Sequence, residues 1–92
     1  MKSVNITVSG RVQGVGFRFF TQSTAVKLKI TGWVKNLSNG DVEIYAEGNE
    51  ETLKNFILII KKGPPLSRVL NIEEVWSDIP EREFNSFTIK YY

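Results

Sequence analysis

The sequence contains no cysteine and no histidine in 92 residues. The first absence removes any disulfide framework and any thiolate nucleophile. The second removes the imidazole base and, together with the first, the Cys/His zinc sites. Most familiar hydrolase machinery is thereby excluded, and an enzyme made from this chain has to work with arginine, lysine, carboxylates, amides, hydroxyls and backbone dipoles. Long apolar runs are missing too. The longest, Phe56-Ile57-Leu58-Ile59-Ile60, falls far short of the roughly 18 residues of a membrane helix, so no membrane partner is expected. Near the N-terminus Asn5 and Thr7 interrupt the apolar residues and leave no export signal, which makes a cytoplasmic location the expectation. Charge of one sign is scarce: twelve basic against ten acidic residues give +2, too weak and dispersed a balance to indicate a nucleic-acid partner. A chain this short supplies one small domain, residues 1–92, without a second core, and a monomer is the simplest expectation.

What is present reads as a series of elements. Val4, Ile6 and Val8 alternate with polar residues, the period of a strand with one buried face. Residues 10–16 then hold three glycines in seven positions, which no regular element tolerates, so a loop follows. Phe17, Phe20, Thr24 and Leu28 fall at helical spacing. Thr31 to Leu37 and Asp41 to Glu47 read as two strands joined by a turn at Ser38-Asn39-Gly40. Asn49 precedes Glu50 and Glu51 as a helix cap, Leu53, Phe56, Ile57 and Ile60 form one apolar face, and Lys61-Lys62 followed by Gly63-Pro64-Pro65 ends the helix. Val69 to Trp76 is β-rich with an alternation that a bulge interrupts, Ser77 to Asn85 reads as a loop, and Phe87, Ile89 and Tyr91 alternate again. The order βαββαβ with an extra C-terminal strand predicts an α+β, ferredoxin-like sandwich: an antiparallel sheet with two helices on one face.

The loop of residues 10–18 joins a strand to a helix N-terminus. Its glycines let several backbone N–H groups converge, and Arg18 stands in the first helical turn. A cation there faces the positive end of the helix dipole at a cost of about 0.3–1 kcal/mol, unless it shares a bound anion. Its planar fork suits phosphate oxygens. The bland alternative is a tight connection followed by a solvated arginine. The loop is no nucleotide P-loop, because it lacks the GxxxxGK[ST] lysine and hydroxyl, and Gly14-Val15-Gly16 lacks the third glycine of a dinucleotide fingerprint. Asn36 is unusual in following the strand stretch Trp33-Val34-Lys35. Taken alone, it either ends the strand or makes an Asx-turn before Ser38.

Gly10-Arg11-Val12-Gln13-Gly14-Val15-Gly16-Phe17-Arg18, followed by Gly32-Trp33-Val34-Lys35-Asn36 and Asn39-Gly40, resembles the acylphosphatase signature, and Glu47-Gly48 and Gly63-Pro64-Pro65 fall where that family has them. The resemblance covers essentially the whole chain. It implies metal-free hydrolysis of the carboxyl–phosphate bond of acyl phosphates without a cofactor, with inorganic phosphate as product and inhibitor. Arg18 and Asn36 then correspond to the catalytic arginine and asparagine, and the phosphate-binding stretch is Gln13, Gly14, Val15, Gly16, Phe17 and Arg18. Lys29 departs from the pattern, since many members close the first helix with glycine.

The missing histidine fits such a substrate. The leaving carboxylate has an unperturbed pKa of about 4 and needs no general acid. The phosphoryl transition state is loose and asks for positioning and charge stabilisation, which an amide and an arginine with loop N–H groups supply. The runner-up is a non-catalytic phosphate-binding or interaction domain on the same scaffold. Glu43 and Glu47, at even spacing in one strand, are expected to face solvent and not a metal. Trp33, Tyr45 and Trp76 invite comparison with RNA-recognition sheets, but Asp41 and Glu43 stand where those carry a basic motif. Arg11 is either an aid at the loop mouth or an exposed strand-end residue.

Overall fold

In the computed structural model residues 1–91 are described; Tyr92, the last residue of the expected domain, lies outside them. The elements are β1 (Lys2–Arg11), α1 (Phe17–Lys27), β2 (Thr31–Asn36), β3 (Val42–Gly48), α2 (Glu50–Lys62), β4 (Arg68–Asp78) and β5 (Phe87–Lys90). They form one sheet of order β4-β1-β3-β2-β5. Strand β3 separates β1 from β2, and β1 separates β3 from β4, so each helix crosses over one intervening strand in the expected split βαβ plan. The sheet is mixed, however, because β5 runs parallel to β2. The register explains this. Asp78 faces Lys2, Lys2 faces Gly48 and Glu47 faces Thr31, so β4 finishes at the end of the sheet where β2 starts. A strand entering there beside β2 has to run with it.

Val4, Ile6, Val8, Val34, Val42, Ile44 and Ala46 point to one side of the sheet and join Phe17, Ala25, Leu53, Phe56, Ile57 and Ile60 of the helices in a single buried cluster. Both helices therefore cover the same face. Helix α2 has the ends its sequence signals: Asn49 Oδ1 accepts from the Thr52 N–H at 2.9 Å, and Gly63 leaves the helix at φ 65°. Helix α1 turns slightly from the expected face, burying Phe17, Thr21 and Ala25, with Phe20 and Leu28 packed at the edge of the core. Small residues at positions 21 and 25 permit close approach to the sheet, and the buried Thr21 hydroxyl is satisfied by the Phe17 carbonyl at 2.9 Å. The interruption in β4 is a bulge at Leu70: Ser9 faces Asn71 while Gly10 faces Val69. Gly10 sits there at φ 127°, and a Cβ on it would lie 2.1 Å from the Arg68 carbonyl oxygen.

The expectation that Glu43 and Glu47 face solvent is corrected. Glu43 is half-buried on the open face of the sheet, where it pairs with Lys35 at 3.7 Å and accepts from Asn5 at 3.1 Å. Glu47 is fully buried. Residues 79–86 run from the β4 edge to the β5 edge over its side chain, whose carboxylate accepts from the N–H groups of Glu83 at 2.7 Å and Phe84 at 3.1 Å and from the Thr31 hydroxyl at 2.9 Å. A buried carboxylate is tolerable only with such donors. They come from segments up to 37 residues away, beyond the reach of a strand-period argument.

Candidate active site

Strand β1 delivers the chain to the loop between Arg11 and Phe17. Gly14 and Gly16 take left-handed conformations, at φ 74° and 78°, and nothing lies within 4 Å of a Cβ placed on either. Conformation, and not space, therefore calls for glycine at both positions. Gly16 caps α1 without any side-chain hydrogen bond, and the first turn holds no acidic residue. The first helical hydrogen bond runs from the Phe20 N–H to the Gly16 carbonyl at 3.0 Å, which leaves the preceding N–H groups without intrahelical partners. The loop thus ends in an uncapped, electropositive helix start.

Arg18 lies on that first turn. Among the described residues no carboxylate stands within salt-bridge distance of it. Its guanidinium lies 4.8 Å from the centre of the Tyr91 ring, and Nη1 reaches the Lys90 carbonyl at 3.5 Å. Asn36 closes β2, facing Val42. The Asx interaction in the turn beyond belongs to Asn39, whose Oδ1 accepts from the Asp41 N–H at 3.0 Å, so that role for Asn36 is eliminated. The Asn36 Oδ1 is instead buried and without a hydrogen-bond partner, the single such side-chain atom among the described residues.

A cavity of about 240 Å³ brings these groups together; Val12, Gly14, Gly16, Phe17, Arg18, Phe19, Asn36, Ile89 and Tyr91 line it. Of the residues expected at the site, Gly14, Gly16, Phe17, Arg18 and Asn36 are on its wall, whereas Gln13 and Val15 are not. Val15 packs on the core. Gln13 uses both hydrogens of its amide on the carbonyls of Leu37 and Asp41, each at 2.8 Å. That clamp ties the glycine loop to the β2–β3 turn and so holds the helix start beside Asn36. Sequence reasoning missed this use of Gln13, for which no local signal exists, and also missed Phe19, Ile89 and Tyr91. Only Phe19 could have been noticed, as an aromatic on the polar side of α1. Arg11 is exposed at the end of β1, off the cavity. A larger hollow of about 590 Å³, between the end of α1 and the 82–87 segment, contains none of the expected site residues.

The arrangement offers backbone donors and a guanidinium for an anion, and beside them an acceptor for a water molecule. Comparison with known proteins finds similarity over nearly the whole chain. The family model described as acylphosphatase matches residues 4–89. An acylphosphatase of Bacillus licheniformis is 49% identical over 92 residues, spanning 99% of this chain and 100% of that protein. One from Archaeoglobus fulgidus is 47% identical over 91 residues, spanning 99% and 100%. The crystal structure of acylphosphatase from Bacillus subtilis superposes with a TM-score of 0.94 at 47% identity, over 99% of this chain and 100% of that one.

Proposed function

The chain belongs to the acylphosphatase family, and from that premise we propose that it acts as a single-domain enzyme that hydrolyses the carboxyl–phosphate bond of acyl phosphates, giving a carboxylate and inorganic phosphate. The observation that carries the reading is that Asn36, whose buried Oδ1 has no hydrogen-bond partner, lines the same cavity as Arg18 and the start of α1. An orphaned acceptor of this kind costs about 1–3 kcal/mol, a cost that a water donating to it removes.

In this reading the phosphoryl oxygens are held by the N–H groups of the Gln13–Arg18 stretch and by the Arg18 guanidinium. Asn36 accepts one hydrogen of a water and fixes its oxygen in line with the bond to be broken. The new bond joins the water oxygen to phosphorus. The bond from phosphorus to the acyl oxygen breaks, its electron pair leaves on the carboxylate, and the water proton passes to a phosphoryl oxygen. With a leaving-group pKa of about 4, no residue has to protonate the departing oxygen. Charge developing on the phosphoryl oxygens is met by donors already in place.

The proposal includes independence from metal ions and cofactors. It also includes a monomeric, cytoplasmic protein without a nucleic-acid partner. In support of the last point, Trp33 is stacked on Tyr45 at 6.1 Å and Tyr45 meets the edge of Phe84 at 5.7 Å, so these sheet aromatics are already engaged. Incubation with benzoyl phosphate tests the activity. Turnover that survives a chelator, with inhibition by inorganic phosphate, is the expected result. A folded sample that binds phosphate without turnover would establish the non-catalytic alternative instead.

A further inference from the structure

Phe19 is the one exposed phenylalanine among the described residues, at 71% of its full surface, and Tyr91 is exposed at 77%. Both stand on the wall of the cavity that holds Arg18 and Asn36, where Ile89 adds an apolar side chain. Neither ring is there for the core. The Tyr91 ring lies over the Arg18 guanidinium, and Phe19 follows Arg18 on the first turn of α1. Exposure separates the groups that line the cavity: Asn36 Oδ1 is buried, whereas the two rings are open to solvent. In-line displacement places the attacking water and the leaving oxygen on opposite sides of phosphorus. A water held at Asn36 therefore sends the acyl group away from the buried amide, toward the exposed rings.

We propose that Phe19 and Tyr91 form an acyl-group platform that selects acyl phosphates with an apolar, ring-sized acyl group over small or charged ones. The proposal rests on the hydrolytic reading above. An acyl chain laid on two exposed aromatic faces removes apolar surface from water on both partners, and an acetyl group is too short to gain from it. A carboxylate on the acyl chain loses hydration there without a dedicated partner, because the Arg18 guanidinium is assigned to the phosphoryl group.

The test compares kcat/KM for benzoyl, acetyl and succinyl phosphate in the wild type and in Phe19→Ala, Phe19→Leu and Tyr91→Leu. The expected wild-type preference for benzoyl over acetyl phosphate is about tenfold or more, the size of a modest apolar contact. Phe19→Ala lowers that ratio severalfold, Phe19→Leu restores part of it, and the change lies mainly in KM. Phe19 is solvent-exposed, so the variants are expected to fold. Equal ratios in wild type and Phe19→Ala, or succinyl phosphate cleaved as well as benzoyl phosphate, would overturn the platform while leaving the hydrolytic reading intact. Failure of the wild type to cleave any of the three would overturn both.

Discussion

Arg18 and Asn36 each stand where stability alone would not put them. An arginine at the start of a helix opposes the dipole by about 0.3–1 kcal/mol, and no carboxylate among the described residues compensates it. Asn36 keeps an acceptor buried and unpaired. Their replacement is therefore expected to separate activity from stability. Asn36→Ala should lower kcat by about 100-fold or more with phosphate inhibition largely kept, since only the attacking water loses its position. Arg18→Ala should lose activity and phosphate inhibition together while Tm holds or rises. Steady-state kinetics, phosphate titration and thermal melts check all three statements. Collapse of phosphate binding in Asn36→Ala would contradict the water-positioning role. Both residue types were legible in the sequence, through the spacing of the loop and through the resemblance. That the Asn36 acceptor is orphaned was not, because it depends on a wall built from α1, β5 and the glycine loop.

At the scale of the element, the end of α1 shows how a motif is kept while its usual residue is changed. The Ile30 N–H donates to the Ala25 carbonyl at 2.9 Å and the Lys29 N–H to the Val26 carbonyl at 3.1 Å, the paired bonds of a Schellman ending. Lys29 holds the left-handed position at φ 58°, the one non-glycine residue with positive φ among those described. The lysine itself carries the strain of that left-handed backbone. Lys29→Gly is expected to stabilise the fold by up to about 1 kcal/mol, the left-handed penalty less the greater chain entropy of glycine. A rise in Tm with unaltered kcat/KM is the outcome to look for, and a fall in Tm would mean that the lysine stem contributes more than its backbone costs. Elements of this kind were readable because their signals lie within a turn or two: alternation for β1 and β3, Asn49 and the lysine pair for α2. The face of α1 was misjudged by about one position, because Thr21 and Ala25 are buried for their small size and not for hydropathy.

At the scale of the whole molecule, the segment 79–86 straps the open face of the sheet, and one carboxylate holds it. Besides the bonds to Glu47, Arg82 Nη1 donates to the Thr31 hydroxyl at 2.8 Å and to the Glu47 carbonyl at 3.0 Å, and the Tyr45 hydroxyl donates to Glu83 at 2.6 Å. Burial, and then the bond to Glu83, pushes the Tyr45 phenol up from 10.0 to about 12. The folded state therefore keeps a proton that the unfolded chain releases near pH 10. The stabilisation is complete below that pH and is lost as pH rises through about 12. Loosening of the strap is the expected response, seen as faster amide exchange at Glu83 and Phe84 and an alkaline fall in Tm that Tyr45→Phe flattens. Glu47→Ala should release the strap at neutral pH at a cost of about 2 kcal/mol or more. Thr31, opposite Glu47, lies at the far end of β2 from Asn36. At temperatures well below Tm, kcat/KM should accordingly stay within about twofold. A loss of turnover without a loss of stability would show that the strap and the site are coupled.

The sequence by itself determined the element order, the apolar face of α2 and the glycine loop leading into a helix, each written in short-range spacing. Arg18 and Asn36 stood out in it as candidates, and the resemblance to the family is what paired them. The absence of histidine and cysteine excluded imidazole and thiolate chemistry and fits the activated phosphate with a good leaving group that the resemblance implies. Tertiary structure decided the rest. It set β5 parallel to β2, used Gln13 as a clamp 28 residues from Asp41, buried Glu47, and brought Tyr91 over Arg18. Local periodicity records which face of an element is apolar. It carries no record of which distant N–H, carbonyl or ring will meet a given side chain once the sheet has closed.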